Sequence, residues 1–371
     1  MDIVILGATG SIGRQCFDVV QNLPNVRVVG MAARSNETSL MEMADVLKPR
    51  FVTLYDRDGM EGLLECASMV GKGDLVVNAI VGSIGLRPTL AAIGAGAHIA
   101  LANKETLVAA GGLVTSAAKE QGVEIRPMDS EHSAIWQCLQ SSESDKNSIV
   151  SDVKRLIITA SGGAFRELSR EQIEKAKAAD ALKHPNWNMG QKITIDCATM
   201  MNKGLEYIEA HWLFGLPYDK IDILVHPQSV IHSMVEFEDG ATLAQLAAPD
   251  MRQPIQYALT YPKRPKRNYE YIDFTKPLTF SEPDYERFPC LSLAMQAAEI
   301  GDTMPAMVNA LNEQLVSAYL DGKVGFYDIS AIIEKAMGAY TTKQVLSVED
   351  VEEAEAWAID FHKKMSFSNP L

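Results

Sequence analysis

The sequence lacks a CxxC pair, a long apolar run and an excess of basic charge. Its cysteines, Cys16, Cys66, Cys138, Cys197 and Cys290, are scattered and odd in number. That argues against a disulfide framework and fits a reducing cytosol. No run of about 18 apolar residues goes without polar interruption, so no membrane span is expected. No charged-then-apolar leader precedes the strand-like Asp2-Ile3-Val4-Ile5-Leu6, so a secretory route is not expected either. Basic side chains number 34 against 48 acidic ones, a net charge of −14. A non-specific nucleic-acid binder would carry a basic face, so that class is excluded. A small anionic substrate is not, because a few local cations suffice. Internal repeats and low-complexity tracts are also missing. What remains is 371 residues, 47% hydrophobic and 22% charged. This is ample for a buried core in two or three domains of roughly 150 residues.

The first third alternates short β-branched runs, at residues 3–6, 26–32, 51–54, 75–79 and 99–102, with helical patterns at 11–22, 39–47 and 105–121. This alternation predicts a parallel sheet with helices on both faces. Residues 156–160, 192–197, 221–225, 231–237 and 242–247 read as strands of a second α/β region. The last two are joined by Glu238-Asp239-Gly240, a hairpin signal, so part of that sheet is expected to be antiparallel. Residues 262–289 carry five prolines and the basic cluster Lys263, Arg264, Lys266 and Arg267. They read as an extended, solvated linker. Beyond it, helical periodicity at 291–300, 305–320, 329–340 and 348–365 predicts a bundle, with Ser347 and Asp350 marking the last helix start.

Gly7-Ala8-Thr9-Gly10-Ser11-Ile12-Gly13 follows the first strand and opens the first helix. Such a turn lets the backbone approach a pyrophosphate at a helix N-terminus. The second strand ends in Arg34-Ser35-Asn36, with a cation where an NAD-binding chain usually has an acid, which favours the 2′-phosphate of NADPH unless Arg34 is simply a surface arginine. Asn103-Lys104-Glu105 follows the fifth strand. Asn103 reads as a helix cap, and Lys104 as a side chain pointing into the ligand crevice.

Asp129-Ser130-Glu131 sets two carboxylates at i and i+2. Like charges held so close call for a proton or a hard divalent cation, unless Asp129 or Ser130 simply caps the next helix. Ser161-Gly162-Gly163 offers a hydroxyl and backbone N–H groups to an anion. The loop 183–191 carries His184, Trp187 and Gly190. It reads as a lid over a substrate or as a loop tucked on its own domain. Asn202 and Glu206 share a helix face, as do Lys203 and Glu206. They form a phosphate and metal site or a surface ion pair. Gly204 inside that helix suggests a close approach of another element.

Taken in order, residues 7–13, 103–105, 129–132, 161–163, 184–190, 198–206 and His226-Pro227-Gln228-Ser229-Val230-Ile231-His232-Ser233 resemble the 1-deoxy-D-xylulose 5-phosphate reductoisomerase family. The resemblance implies an NADPH- and Mg²⁺- or Mn²⁺-dependent homodimer that rearranges and reduces a small phosphorylated sugar in non-mevalonate isoprenoid biosynthesis. It implies that Asp129, Glu131 and Glu206 hold the metal, that Lys104, Glu131 and His184 are catalytic, and that Ser130 and Lys104 contact the substrate near its reacting carbons, with Glu131 and Glu206 also binding it. Ser161, Asn202 and Lys203 would hold its phosphate, while His184 and Trp187 close over it. Thr9, Gly10, Ser11, Ile12, Arg34, Ser35, Asn36, Asn103, Glu105 and Gly190 would line the nucleotide. Cys197 stands where the family usually has a phosphate-binding serine, and a thiol is a weaker donor.

The expected architecture is α/β. A Rossmann-like nucleotide domain spans 1–128, and a mixed-sheet catalytic domain with a mobile loop at 183–191 spans 129–261. The linker 262–289 leads to a helical domain at 290–371. Two other readings share the glycine turn. An aspartate-semialdehyde-type dehydrogenase needs a nucleophilic cysteine. A non-enzymatic NADPH sensor has no use for the three carboxylates.

Overall fold

Apolar β-branched runs broken by glycine turns and amphipathic stretches give a chain that keeps switching between strand and helix. The computed structural model describes residues 1–140, 151–187 and 189–365. Asn188, within the 184–190 motif, lies outside them. The elements are β1 (Asp2–Leu6), α1 (Ser11–Val20), β2 (Arg27–Ala33), α2 (Glu37–Leu47), β3 (Phe51–Leu54), α3 (Tyr55–Ala67), β4 (Leu75–Asn78), α4 (Leu86–Gly94), β5 (His98–Leu101), α5 (Lys104–Gln121), β6 (Ile125–Pro127) and α6 (Ser130–Leu139). Then come β7 (Val153–Ala160), α7 (Arg170–Glu174), α8 (Ala178–Ala181), α9 (Gln191–Thr199), α10 (Met201–Phe214), β8 (Ile221–Val225), β9 (Ile231–Phe237), β10 (Thr242–Leu246) and α11 (Arg252–Thr260). The chain closes with α12 (Pro289–Ile300), α13 (Met304–Leu320), α14 (Phe326–Ala339) and α15 (Val348–Lys364). Among the described residues no helix is long and apolar enough to cross a membrane.

The chain divides into two compact units. The first comprises residues 1–107, 111–136 and 250–270, and the second residues 108–110, 137–249 and 271–371. The first unit holds a six-stranded sheet in the order β3-β2-β1-β4-β5-β6, with every pairing parallel. Its strands are apolar and buried, as a sheet covered on both faces requires. Ile3, Ile5, Leu75 and Val77 meet Val19 of α1 and Leu40 of α2 in one core. Helix α11 joins that core through Ile255, Ala258 and Leu259. Burying an aliphatic side chain the size of Ile255 or Leu259 contributes roughly 1.5–3 kcal/mol. Arg252 and Arg267 both pair with Asp18 of α1, fixing α11 and the chain beyond it to the first unit. Of the basic cluster in the linker, Lys263, Arg264 and Lys266 are exposed and Arg267 is partly buried. Arg267 is held by Asp18, and Arg264 lies 4.3 Å over the Tyr257 ring.

In the second unit a four-stranded sheet runs β10-β9-β7-β8. Strands β7 and β8 are parallel, β9 is antiparallel to β7, and β10 returns along β9 through the expected Asp-Gly turn. The C-terminal helices lie in this same unit. Ser347 opens α15 with a reciprocal cap to Asp350, as its spacing indicated.

One expected element is wrong in kind. Residues 192–197 form not a strand but part of α9. The Ile193/Ile195 alternation misled because so short a run fits either period. A helical signal was available: Lys192 and Asp196 pair at i and i+4, 3.0 Å apart.

Candidate active site

In the first unit the carboxyl ends of the parallel strands form one continuous edge. Strand order reverses between β1 and β4 there, the point where open α/β sheets bind ligands. The Gly7 turn leaves β1 with φ +81, and a Cβ on Gly7 would lie 2.4 Å from the Ala79 carbonyl oxygen. A Cβ on Gly13 would meet the Gly7 oxygen at 2.3 Å, so α1 packs directly on its own turn. Gly10 precedes α1 and gives it no side-chain cap, leaving the backbone N–H groups around Ser11 and Ile12 to an anion. A dinucleotide pyrophosphate fits such a cradle.

Arg34 follows β2 with an exposed side chain whose nearest carboxylate is Asp56, at 3.6 Å. Ser35 is exposed beside it. Asn36 caps α2 by accepting from the Ser39 N–H. Asn103 caps α5 by accepting from the Thr106 N–H, while its amide donates to the Ile80 and Gly82 carbonyls at 2.6 and 2.7 Å. It thereby ties the loop after β4 to the start of α5. Asn78, which sequence reasoning missed, braces the same loop by accepting from the Ile80 N–H and donating to the Gly85 carbonyl. Glu105 is buried in the first turn of α5.

Because β5 and β6 are parallel neighbours, the residues that leave them are neighbours too. Lys104, just past β5, places Nζ 2.7 Å from a carboxylate oxygen of Asp129, just past β6. Ligand oxygens of Asp129 and Glu131 approach within 4.8 Å of each other. Ser130 donates to Glu131. Burial works against a charge on Asp129. The Lys104 ammonium and His132 outweigh it and hold the carboxyl well below the usual carboxylate range. An oxygen-only donor set of this kind suits a hard divalent cation.

In the second unit, Ser161 leaves β7 and His226 leaves the parallel strand β8, with Ala160 and Val225 in register. Gly162 and Gly163 turn the loop at φ +79 and +68, and a Cβ on Gly163 would lie 2.4 Å from the Cys197 carbonyl oxygen. The Ser-Gly-Gly loop therefore rests on the last turn of α9. Arg166, another residue that sequence reasoning passed over, donates to the Ser161 carbonyl at 3.1 Å and steadies the loop.

The loop from Lys183 reaches this turn through His184. The Trp187 N–H donates to His184 Nδ1 at 3.0 Å. That nitrogen is thus an acceptor, and the proton sits on Nε2, 2.9 Å from Ser161 Oγ. Ser161 Oγ accepts from His184 and from the Gly163 N–H, which leaves its own hydrogen to donate outward. Burial, then the Arg166 guanidinium, lowers the His184 pKa to about 4, so the ring is neutral at pH 7. Trp187 packs against His232, ring centres 5.9 Å apart, a residue to which sequence reasoning assigned no role. Gly190 caps α9.

Helices α9 and α10 meet at Met200, whose φ of +61 turns the chain sharply. Asn202 and Lys203 open α10, and both donate to Glu206 one turn on. All three are buried, which removes the surface-pair reading. Cys197, in the last turn of α9, is half-buried. Burial pushes the Cys16, Cys66 and Cys290 thiols up to about 12 and Cys138 up to about 11, so none of these is a nucleophile.

The chain is similar to known reductoisomerases. Residues 3–69 and 55–111 match 1-deoxy-D-xylulose 5-phosphate reductoisomerase, residues 125–214 its C-terminal domain, and residues 246–361 a further DXP reductoisomerase C-terminal domain. The reductoisomerase of Heliobacterium modesticaldum is 48% identical over 97% of this chain and 96% of its own. That of Pelodictyon phaeoclathratiforme is 48% identical over 98% of each. A crystal structure of DOX-P reductoisomerase in complex with NADPH, fosmidomycin and magnesium superposes with a TM-score of 0.91 at 40% identity, covering 98% of both chains. The Zymomonas mobilis enzyme in complex with NADPH gives 0.88 at 42% identity, covering 98% of this chain and 99% of that one.

Proposed function

The chain belongs to the 1-deoxy-D-xylulose 5-phosphate reductoisomerase family, and from that premise we propose how its residues carry the family's reaction. The protein converts 1-deoxy-D-xylulose 5-phosphate to 2-C-methyl-D-erythritol 4-phosphate with NADPH as reductant and a divalent cation, Mg²⁺ or Mn²⁺, as cofactor. The observation that carries this reading is the sequence of loops along one edge of the parallel sheet. The glycine turn after β1 and the Lys104–Asp129 pair after β5 and β6 lie on the same edge, so a hydride donor and an acidic cation site belong to one crevice.

When bound, the cation supplies Lewis-acid stabilisation of charge on the substrate's ketone and hydroxyl oxygens, and NADPH supplies the hydride. Asp129 and Glu131 would hold the cation, with Glu206 as the third carboxylate. Ionised Asp129 is ready for this without a proton to lose. Lys104 and Ser130 contact the substrate near its reacting carbons, where the ammonium offsets developing negative charge. Glu131 and Glu206 also face that part of the substrate.

The phosphate is bound by Ser161, Asn202 and Lys203. Ser161 donates its free hydrogen, and Cys197 lies beside the same group. Neutral His184 orients the Ser161 hydroxyl, and the 183–191 loop closes with Trp187 as a cover that excludes water. Phosphate binding far from the reacting carbons gives closure its driving force. Thr9, Gly10, Ser11 and Ile12 receive the pyrophosphate, and Arg34 with Ser35 the 2′-phosphate. Asn36, Asn103 and Glu105 shape the nucleotide side from the starts of α2 and α5, and Gly190 bounds it from the loop. On the same reading, residues 1–128 are the nucleotide domain, 129–261 the catalytic domain, and 290–371 a helical domain reached through 262–289. The assembly is a homodimer working in the cytoplasm.

The test is consumption of reduced nicotinamide. The reading predicts NADPH oxidation only when the sugar phosphate and Mn²⁺ or Mg²⁺ are both present, with activity lost on chelation and restored by the metal. Oxidation indifferent to metal, or none by folded protein, contradicts it.

A further inference from the structure

The α9–α10 elbow is held from behind by the C-terminal helices. Asp196, one residue before Cys197, is 1% exposed. One of its carboxylate oxygens lies 3.0 Å from Lys192 Nζ, one turn back on α9. The other accepts from Asn312 Nδ2 of α13 at 2.8 Å. Asn312 is fully buried, and among the described residues its amide oxygen has no hydrogen-bond partner. An apolar side chain there would avoid the cost of that buried oxygen. What the amide supplies in return is its donation to Asp196. A second fixation lies on the other arm of the elbow. A Cβ on Gly204 would come 2.3 Å from the Ala294 Cβ, so α10 rests backbone-close on α12. Cys290 of α12 meets Thr199 between the two arms.

We propose that Asn312 and Asp196 are positioning residues, through which α13 fixes the angle of the α9–α10 elbow and thereby sets Asn202 and Lys203 for the substrate phosphate. The inference rests on reading the elbow as the phosphate site. Asn312 touches neither substrate nor cofactor. Its loss lets the last turn of α9 shift, and with it the Ser-Gly-Gly loop seated on the Cys197 carbonyl.

The experiment is steady-state kinetics on the full-length protein with Asn312→Leu, which keeps the side chain's branching and heavy-atom count and removes the donor. The expected result is a KM for 1-deoxy-D-xylulose 5-phosphate raised about tenfold, a matching rise in the Ki of inorganic phosphate, and unchanged kcat and KM for NADPH. Asn312→Ser, which keeps a shorter donor, should fall between wild type and Asn312→Leu, and serves alone if the leucine variant does not fold. An unchanged substrate KM in folded protein overturns the proposal. So does an equal loss in kcat and in both KM values, or failure of both variants to fold, since each marks a merely structural contact. Lys203→Met tests the underlying reading separately. If it leaves the substrate KM and the phosphate Ki unchanged, the elbow is not the phosphate site, whatever Asn312 does.

Discussion

Ser161 shows how much of the site is settled by single hydrogen bonds. Its oxygen already accepts from His184 and from the Gly163 N–H, so its hydrogen is committed outward. Ser161→Ala removes a donor to a charged group, worth about 1.5 kcal/mol or more. The substrate KM is expected to rise roughly tenfold with kcat nearly unchanged, as read by initial rates. The residues that set Ser161 also set a pH dependence. Burial, as its leading cause, puts the pKa values of His184 and His232 near 4, below the ordinary 6.5. Between those two values the unfolded chain binds protons that the folded chain refuses, so stability falls as pH drops through that window. Thermal unfolding from pH 7 to pH 4.5 should show this fall, and His184→Gln should make it shallower. An unchanged slope would show that His184 is not held neutral. His184 could be picked from its motif. Its tautomer depends on the Trp187 N–H, and local spacing does not reveal that.

At the scale of elements, the parallel sheet was legible because its strands are short, apolar and punctuated by glycine. The hairpin of β9 and β10 was legible because Asp-Gly admits few other turns. Helix α9 was less so, since Ile193 and Ile195 alternate like a strand over too few residues to fix the period; the i, i+4 Lys192–Asp196 pair was its local signal, and the Asn312 contact with Asp196 is distant in sequence. Helix α11 packs with the first unit through anchors distant in sequence, Asp18, 234 residues from Arg252, and the core around Ile255, which local spacing does not reveal. Gly204 costs stability inside a helix, and the close approach of Ala294 on α12 is the reason a glycine stands there. Gly204→Ala should destabilise the second unit by about 1–3 kcal/mol through overpacking. Adding Ala294→Gly should recover much of that loss if the close approach is the cause. Chemical denaturation of the two single variants and the double variant measures the coupling.

For the whole molecule, the net charge of −14 sits easily with an anionic substrate, because its cations are local and buried. Lys104 faces Asp129, and Lys203 faces Glu206. Sequence motifs identified these groups, yet which strand ends lie side by side depends on the order β3-β2-β1-β4-β5-β6, a property of the fold that no single motif carries. The central claim joins two chemistries, a skeletal rearrangement and a reduction. One product analysis tests both together. The protein is supplied with 1-deoxy-D-xylulose 5-phosphate, Mn²⁺ and NADPH deuterated at the transferred position of the nicotinamide, and the product is examined by NMR. The account predicts a branched 2-C-methyl-D-erythritol 4-phosphate with one deuterium on the carbon that had been the rearranged aldehyde. An unbranched, deuterated sugar alcohol, or a branched product without deuterium, would contradict it.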